Sequence, residues 1–275
     1  MADPRSPAVR AAASLATRQG RRRYGRFLVE GPRAVHDLLE ATAAGAPYRV
    51  HALYVADGVL DRHPSLARLA VPSSIRTATP AVVAAISDAS TPQGVVAVVD
   101  IPPRRGAAAV ELGAGTSGAV LVQVQDPGNV GTVVRAADAA GASVVALTPG
   151  CADVHAPKTV RSTAGSLFHL PVVPDVDLGE LLTAARGAGV RVLATAAAGD
   201  TDLDEAVAAA RTGAGPMAAP HLWLLGNEGR GLAAETLAAA DDVVRIPLRG
   251  RAESLNLAMA ATLVLFATAR LRSPE

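Results

Sequence analysis

Aromatic residues are scarce in this 275-residue chain: three Phe, three Tyr and one Trp make up 3% of it, although half of all residues are hydrophobic. A core therefore has to be filled mainly by Ala, Val and Leu, and the length suffices for one large domain or two smaller ones. There is one cysteine, Cys151, so no intrachain disulfide can form, as expected in a reducing compartment. The six histidines, at 36, 51, 63, 155, 169 and 221, show no metal-ligand spacing. No apolar run reaches the roughly 20 residues that a membrane-spanning helix needs. The longest, Leu257 to Ala269, is interrupted by Thr262 and Thr268 and reads as a buried helix. Arg5 and Arg10 lie near the N-terminus, but no apolar segment precedes a small-residue cleavage site. These absences predict a cytoplasmic protein that uses no metal and touches no membrane.

Lysine is nearly absent too, with Lys158 alone, so arginine carries almost all of the positive charge. The net charge is only +1, yet residues 1–33 hold eight arginines (5, 10, 18, 21, 22, 23, 26 and 33) against Asp3 and Glu30, a formal +6 for that stretch. A basic arm of this kind suits a polyanion partner, and it also suits a solvated, disordered tail.

After the arm, "FLVEGPRAVHDLLEA" reads as a short strand, a Gly-Pro turn and an amphipathic helix with Val35, Leu38 and Leu39 on one face. "VHALYVA" and "GVVAVVDIP" read as further strands. Together they predict a small N-terminal α/β domain over residues 1–105, followed by a Pro- and Gly-rich linker over 106–117. From Ala119 onward, "AVLVQVQD", "SVVALTPG", "RVLATAAAG", "LWLLGNE" and "DVVRIPL" are near-continuous apolar runs, most of them separated by Ala-rich helical segments. That alternation predicts a C-terminal α/β domain over 118–275 with a mostly parallel sheet covered on both faces. Ligands of such sheets sit beyond the carboxyl ends of the strands.

Three of these strands end in polar, glycine-rich loops: "QDPGNVGTVVRAADAAGA", "LLGNEGRGL" and "IPLRGRAESLNLAMAA". Every asparagine of the protein, Asn129, Asn227 and Asn256, lies in one of them. Asn both donates and accepts, so it can fix a sugar hydroxyl or a base edge in one orientation. Asn129 and Asn227 read equally as turn residues. Asn256 lies at the start of an apolar helix where Ser254 is already available as a cap, so capping alone leaves it unexplained. Glycines 128, 131, 226, 229 and 231 let main chain approach a ligand or simply make tight turns.

Taken jointly, the three loops resemble the three signature motifs of the SpoU/TrmH family of RNA ribose 2′-O-methyltransferases, within the knotted SPOUT class. Asp126-Pro127-Gly128-Asn129-Val130-Gly131 with Arg135 resembles the first motif, Gly226-Asn227-Glu228-Gly229-Arg230-Gly231-Leu232 the second, and Ile246-Pro247-Leu248 followed by Glu253-Ser254-Leu255-Asn256 the third. The resemblance runs over about residues 119 to 271, in the family's order and with its spacing. Lys158, Arg161, Ser162, Gly165 and Pro171 are similar to the family's segment between the first two motifs. Phe27, Glu30 and Gly31 look like the start of its ribosomal-protein-like RNA-binding domain. Where the family often has a small hydroxyl residue two positions after Asn256, this chain has Ala258.

The resemblance implies a deep trefoil knot, S-adenosylmethionine as methyl donor, a homodimer and an RNA substrate, with ribosomal RNA favoured over transfer RNA. It implies catalytic roles for Asn129, Arg135, Glu228, Ser254 and Asn256: Arg135 beside a phosphate of the target nucleotide, Asn129 at the reacting ribose, Glu228 orienting one of the two, and Ser254 and Asn256 orienting arginine and substrate. It places the cofactor against Gly226, Ile246, Leu248 and Leu255, with Thr195 and Ala196 at the rim. The alternatives are a base-methylating relative, an RNA-binding protein that kept the fold without catalysis, and a dinucleotide-binding dehydrogenase. The last is disfavoured by the lack of GxGxxG after the first strand of the regular region.

Overall fold

The computed structural model describes residues 3–103, 106–227 and 229–272. The chain forms two compact units, one of residues 1–103 with 153–169, the other of 104–152 with 170–275. This differs from the contiguous division at residues 105 and 118. The stretch 153–169 leaves the C-terminal half and packs into the first unit. Residues 106–117, expected as a linker, bury Ala107 and Val110 in the core of the second unit.

The first unit is built on a four-stranded sheet of β1 (Arg26–Glu30), β2 (Arg49–Ala56), β3 (Ile75–Ala78) and β4 (Val95–Asp100), in the order β1-β4-β2-β3. β4 runs antiparallel to both β1 and β2, and β3 joins β2 in parallel. The helix Pro32–Ala43 buries the expected Val35, Leu38 and Leu39.

The basic arm is folded into two helices, Pro7–Ser14 and Arg18–Tyr24. They approach so closely that a Cβ on Gly20 would lie 1.9 Å from the Ser14 carbonyl oxygen. Arg21 is not part of the basic surface. It is 4% exposed, donates to the carbonyls of Leu15 and Ala16, and pairs with Asp153 at 2.7 Å. Other ties hold 153–169 in place: Phe168 packs edge-on against Tyr48 at 5.1 Å, Phe27 lies 4.6 Å from the His155 ring, and Arg161 reaches Asp88 at 2.9 Å.

The second unit is a seven-stranded sheet of β5 (Ser117–Leu121), β6 (Val144–Leu147), β7 (Val172–Val173), β8 (Arg191–Thr195), β9 (Thr201–Asp202), β10 (His221–Leu225) and β11 (Asp242–Arg245). Their order is β7-β6-β5-β10-β8-β11-β9, and every neighbouring pair is parallel. Side chains alternate between faces, so Ala119, Leu121, Leu193, Trp223 and Leu225 share one core while Val120, Val192, Ala194, Leu222 and Leu224 share another. Burial on both faces is why these strands read as unbroken apolar runs. Helices Pro127–Ala139, Leu203–Ala210 and Leu257–Arg272 contribute to the first core, and Leu178–Gly187 to the second. Thr268, an interruption in the last apolar run, accepts from Trp223 Nε1 at 3.0 Å and meets His221 Nε2 at 2.9 Å. It satisfies the polar atoms of two buried rings.

The edge carrying β11 has an unusual chain path. Val244 is the register partner of Thr195 on one side and of Thr201 on the other, so residues 196–200 have to cross β11. Gly199 makes the crossing: a Cβ there would meet Val243 O and Arg245 N at 2.7 Å, and only hydrogen fits between the two main chains. This crossing is consistent with the knotted path implied by the resemblance. Among the described residues, no helix is long and apolar enough to cross a membrane.

Candidate active site

β5, β10, β8 and β11 are consecutive, parallel neighbours, so the loops after them leave at one end of the sheet. These are the three motif loops and the 196–200 crossing. Hydrogen bonds join them. Val122 N donates to Leu225 O at 2.9 Å, and Asn227 Nδ2 donates to Gln123 O at 3.0 Å, pinning the second motif to the first.

In the first motif, Asp126 caps the helix Pro127–Ala139 by accepting from Asn129 N at 2.9 Å. Pro127 suits the first helical position because its missing N–H would have no helical partner there. Asn129 therefore sits in the first helical turn, half-buried, and is not a left-handed turn residue. Arg135 is exposed on the same helix. It follows Gly128, Gly131 and Thr132 by seven, four and three positions, a spacing that puts them on one face. Two of those three positions are glycines, of which Gly131 is buried and Gly128 half-buried.

The second motif is a loop closed on itself. Asn227 and Gly231 exchange main-chain hydrogen bonds at 3.1 and 2.8 Å, and Asn227 Oδ1 accepts from Gly229 N at 2.9 Å. A Cβ on Gly226 would lie 2.4 Å from the Gly231 carbonyl carbon, so that glycine is required for closure. Both ends of the Asn227 amide are thus occupied in shaping the loop, in accord with its reading as a turn residue. Glu228 lies outside the described residues.

In the third motif, the final helix begins at Leu257, where the apolar run begins. Its cap is Asn256, whose Oδ1 accepts from Ala258 N at 2.9 Å and whose main-chain oxygen accepts from Ala260 N at 3.0 Å. Ser254, expected as the cap, lies before the helix in an exposed loop. The other end of the Asn256 amide explains why asparagine stands there: Nδ2 donates to Asn129 Oδ1 at 3.2 Å, joining motifs 127 residues apart.

The expected cofactor residues also gather at these strand ends. Thr195 and Ala196 are half-buried at the end of β8, with Thr195 Oγ1 donating to Leu224 O at 3.3 Å and Ala196 N to Val244 O at 3.1 Å. Ile246 packs against the core, Leu255 is half-buried, and Leu248 is 38% exposed. Two residues had escaped notice: Gln123, held at φ +53 where the second motif attaches, and Gly199 at the crossing. The only signal for Gly199 was an isolated glycine after an alanine run.

Cys151 donates through Sγ to Leu121 O at 3.2 Å, and burial pushes its pKa up, which holds it as a thiol. Among the described residues, the one group of potential metal ligands within 4.8 Å of one another is His36, Asp37 and Glu40, in the first unit.

The model of the SpoU rRNA methylase family matches residues 118–266, more than half of the chain. The chain belongs to this family. An MRM3-like substrate binding domain matches residues 6–97. Among SpoU relatives, the chain is 32% identical to the 23S rRNA (guanosine(2553)-2′-O)-methyltransferase RlmP of Bacillus subtilis (strain 168), over 92% of each chain. It is 34% identical to the 23S rRNA (uridine(2479)-2′-O)-methyltransferase of Streptomyces viridochromogenes, over 94% of this chain and 88% of that one. The crystal structure of the SpoU methyltransferase AviRb from Streptomyces viridochromogenes in complex with AdoMet superposes with a TM-score of 0.82 at 31% identity, covering 98% of both chains. An AdoMet-bound rRNA methyltransferase from Sinorhizobium meliloti superposes at 0.83 with 29% identity, over 100% of this chain and 98% of that one.

Proposed function

We propose that this SpoU protein transfers a methyl group from S-adenosylmethionine to a ribose 2′-hydroxyl of ribosomal RNA. The observation that carries the reading is the Asn256–Asn129 hydrogen bond, which joins the third and first motifs at the carboxyl end of the sheet. The activities named for the two 23S rRNA methyltransferases, matched over nearly their full length, support the substrate class.

The strand-end loops suit an adenosine-bearing cofactor. Loops without regular structure offer main-chain N–H and C=O groups for a base edge, and Ile246, Leu248 and Leu255 supply apolar surface for its faces. Gly226, Thr195 and Ala196 complete the proposed set. Bound S-adenosylmethionine supplies an electrophilic methyl group, and the protein's part is to hold the hydroxyl in line with it and help remove the proton.

Asn129 is assigned to the reacting ribose, and Asn256, whose Nδ2 donates to Asn129 Oδ1, fixes which way the amide faces. Arg135 takes the flanking phosphate, which its planar fork binds through two oxygens. A guanidinium stays protonated in proteins, so positioning is the role its chemistry fits best. Glu228 is assigned to orient Arg135 or Asn129, and Ser254 to the substrate side of the third motif.

The last helix favours a homodimer. Met259, Leu263 and Phe266 are 62%, 47% and 37% exposed at positions i, i+4 and i+7, an apolar stripe outside the buried face. A second copy of the chain is its proposed partner. The proposed location is the cytoplasm. Incubation with radiolabelled S-adenosylmethionine and total RNA, followed by nucleoside analysis, tests the reading. Label in a 2′-O-methylnucleoside of ribosomal RNA is expected, and label in a modified base, or none, refutes it.

A further inference from the structure

The helices Pro7–Ser14 and Arg18–Tyr24 enclose a groove of about 450 Å³, lined by Arg10, Ser14, Thr17, Gln19, Arg23 and Tyr24 among others. It exists because Gly20 lets the second helix rest on the end of the first. From the groove and its rim we infer that this helical pair binds an unpaired nucleotide of the RNA substrate, with the base against Tyr24 and the phosphates on the surrounding arginines. The inference rests on the proposed RNA substrate and locates where part of it is held.

Charge is the first support. Of the six arginines between residues 3 and 24, Arg5 is near Asp3 at 3.9 Å and Arg21 is consumed by Asp153. Arg10, Arg18, Arg22 and Arg23 are exposed, and among the described residues none of them forms an ion pair. The next acidic residue along the chain, Glu30, is engaged by Ser87, the Asp88 main chain and Arg161. The helix Pro80–Ile86, which packs on the first helix, carries no charge. Four guanidinium groups therefore face solvent without a carboxylate to neutralise them, the arrangement that phosphates complete by releasing counterions.

The aromatic group is the second. In a chain with only seven aromatics, Tyr24 is 37% exposed, and the Arg23 guanidinium lies over its ring at 5.4 Å from the centroid. A cation and a π face presented together suit a stacked base with its phosphate. Paired RNA hides its base faces, so the groove selects unpaired nucleotides. Its volume falls in the range of nucleotide-sized ligand sites. Gln19 adds an amide donor and acceptor at its wall, while the hydroxyls of Ser14 and Thr17 donate to Ala11 O and Ser14 O within the helical pair.

Fluorescence anisotropy on the full-length protein tests this with a short single-stranded RNA and a fully paired duplex of equal length, each across a salt series. Tyr24→Ala is expected to weaken single-strand binding roughly 10- to 100-fold, the loss of one stacked base, with duplex binding unchanged. Tyr24→Phe keeps the ring and is expected to bind as wild type, which separates stacking from damage to the helix. Arg10→Gln and Arg18→Gln are each expected to lower the slope of log K against log salt by about 0.7. Equal losses on both RNAs, no loss with Tyr24→Ala, or displacement of the RNA by polyglutamate as effective as by unlabelled RNA would each overturn the inference. Calorimetric binding of S-adenosylmethionine and methyl incorporation are measured in parallel on the wild type. Failure of methylation with Tyr24-dependent binding intact counts against the proposed reaction and leaves the groove assignment standing.

Discussion

Asn256 does two jobs with one side chain, and the two can be separated by substitution. Its Oδ1 caps the final helix through Ala258 N at 2.9 Å, while its Nδ2 reaches Asn129 at 3.2 Å. Asn256→Ala removes both. Loss of the cap costs about 1 kcal/mol, and the solvent-facing side-chain bond adds about 0.5 kcal/mol, so a melting temperature lowered by about 3–6 °C is expected for a unit of this size. Serine caps helices about as well as asparagine but is too short to reach Asn129. Asn256→Ser should therefore melt within about 1–2 °C of wild type and yet lose about 10- to 100-fold in kcat, because the amide that faces the ribose is no longer held. Thermal melts paired with single-turnover methylation on ribosomal RNA read the two effects separately. Wild-type kcat in Asn256→Ser would refute the positioning role, and an unshifted melt in Asn256→Ala would refute the cap.

Arg135→Ala is expected to lower methyl transfer at least about 100-fold while S-adenosylmethionine still binds with wild-type affinity, and Arg135→Lys is expected to recover little because an ammonium lacks the planar fork. Near-normal turnover in either variant removes the arginine from the site. Gly199→Ala forces a methyl group to 2.7 Å from the main chain of β11 and should destabilise the protein by about 1–3 kcal/mol or more, read by urea melts; an unchanged midpoint contradicts the close crossing. Arg21→Ala strands Asp153, which is 30% exposed, and two carbonyls, at a cost of about 2–4 kcal/mol at neutral pH. Burial raises the Asp153 pKa, but the bonds from Arg21 and His155 N and the charges of Arg21 and His155 outweigh it, and the net shift is downward. The stabilisation is then present above the unfolded carboxylate value of about 3.9 and is lost as pH falls through the lower folded value. The gap between urea melts of wild type and Arg21→Ala should accordingly narrow below about pH 4 to what the two carbonyl bonds contribute, and a gap independent of pH contradicts the ion pair. Leu263→Glu, in the middle of the exposed stripe, is expected to convert a dimer to monomers by sedimentation, and an unaltered mass points to a different interface.

Much of the catalytic half could be read directly because its determinants are local. Strands buried on both faces announce themselves as continuous Val, Leu and Ala runs, and the loops after them stand out as the only places where asparagine occurs. What could not be read depends on partners distant in the chain. Nothing near Arg21 marks it as buried, since its carboxylate is 132 positions away. Ser254 and Asn256 are both good caps by type, and the bond by which Asn256 also reaches Asn129 joins residues far apart in the chain. Thr268 looked like an interruption until Trp223 and His221 were found to meet it. The stretch 153–169 follows the helix-and-strand rhythm of its neighbours, and its transfer to the first unit is a matter of packing alone.

That transfer dictates an order of synthesis and assembly. The N-terminal unit is not complete when residue 103 has been made; it waits for residue 169, by which point β5 and β6 of the other unit have already emerged. A ribosome-bound fragment ending near residue 103 would lack the Asp153 carboxylate that pairs with Arg21, so neither half is a module that can be cut out by a single break. Fusion, truncation or recombination at the apparent boundary should yield insoluble pieces, whereas fragments that keep 153–169 with the N-terminal strands retain what that unit needs to close.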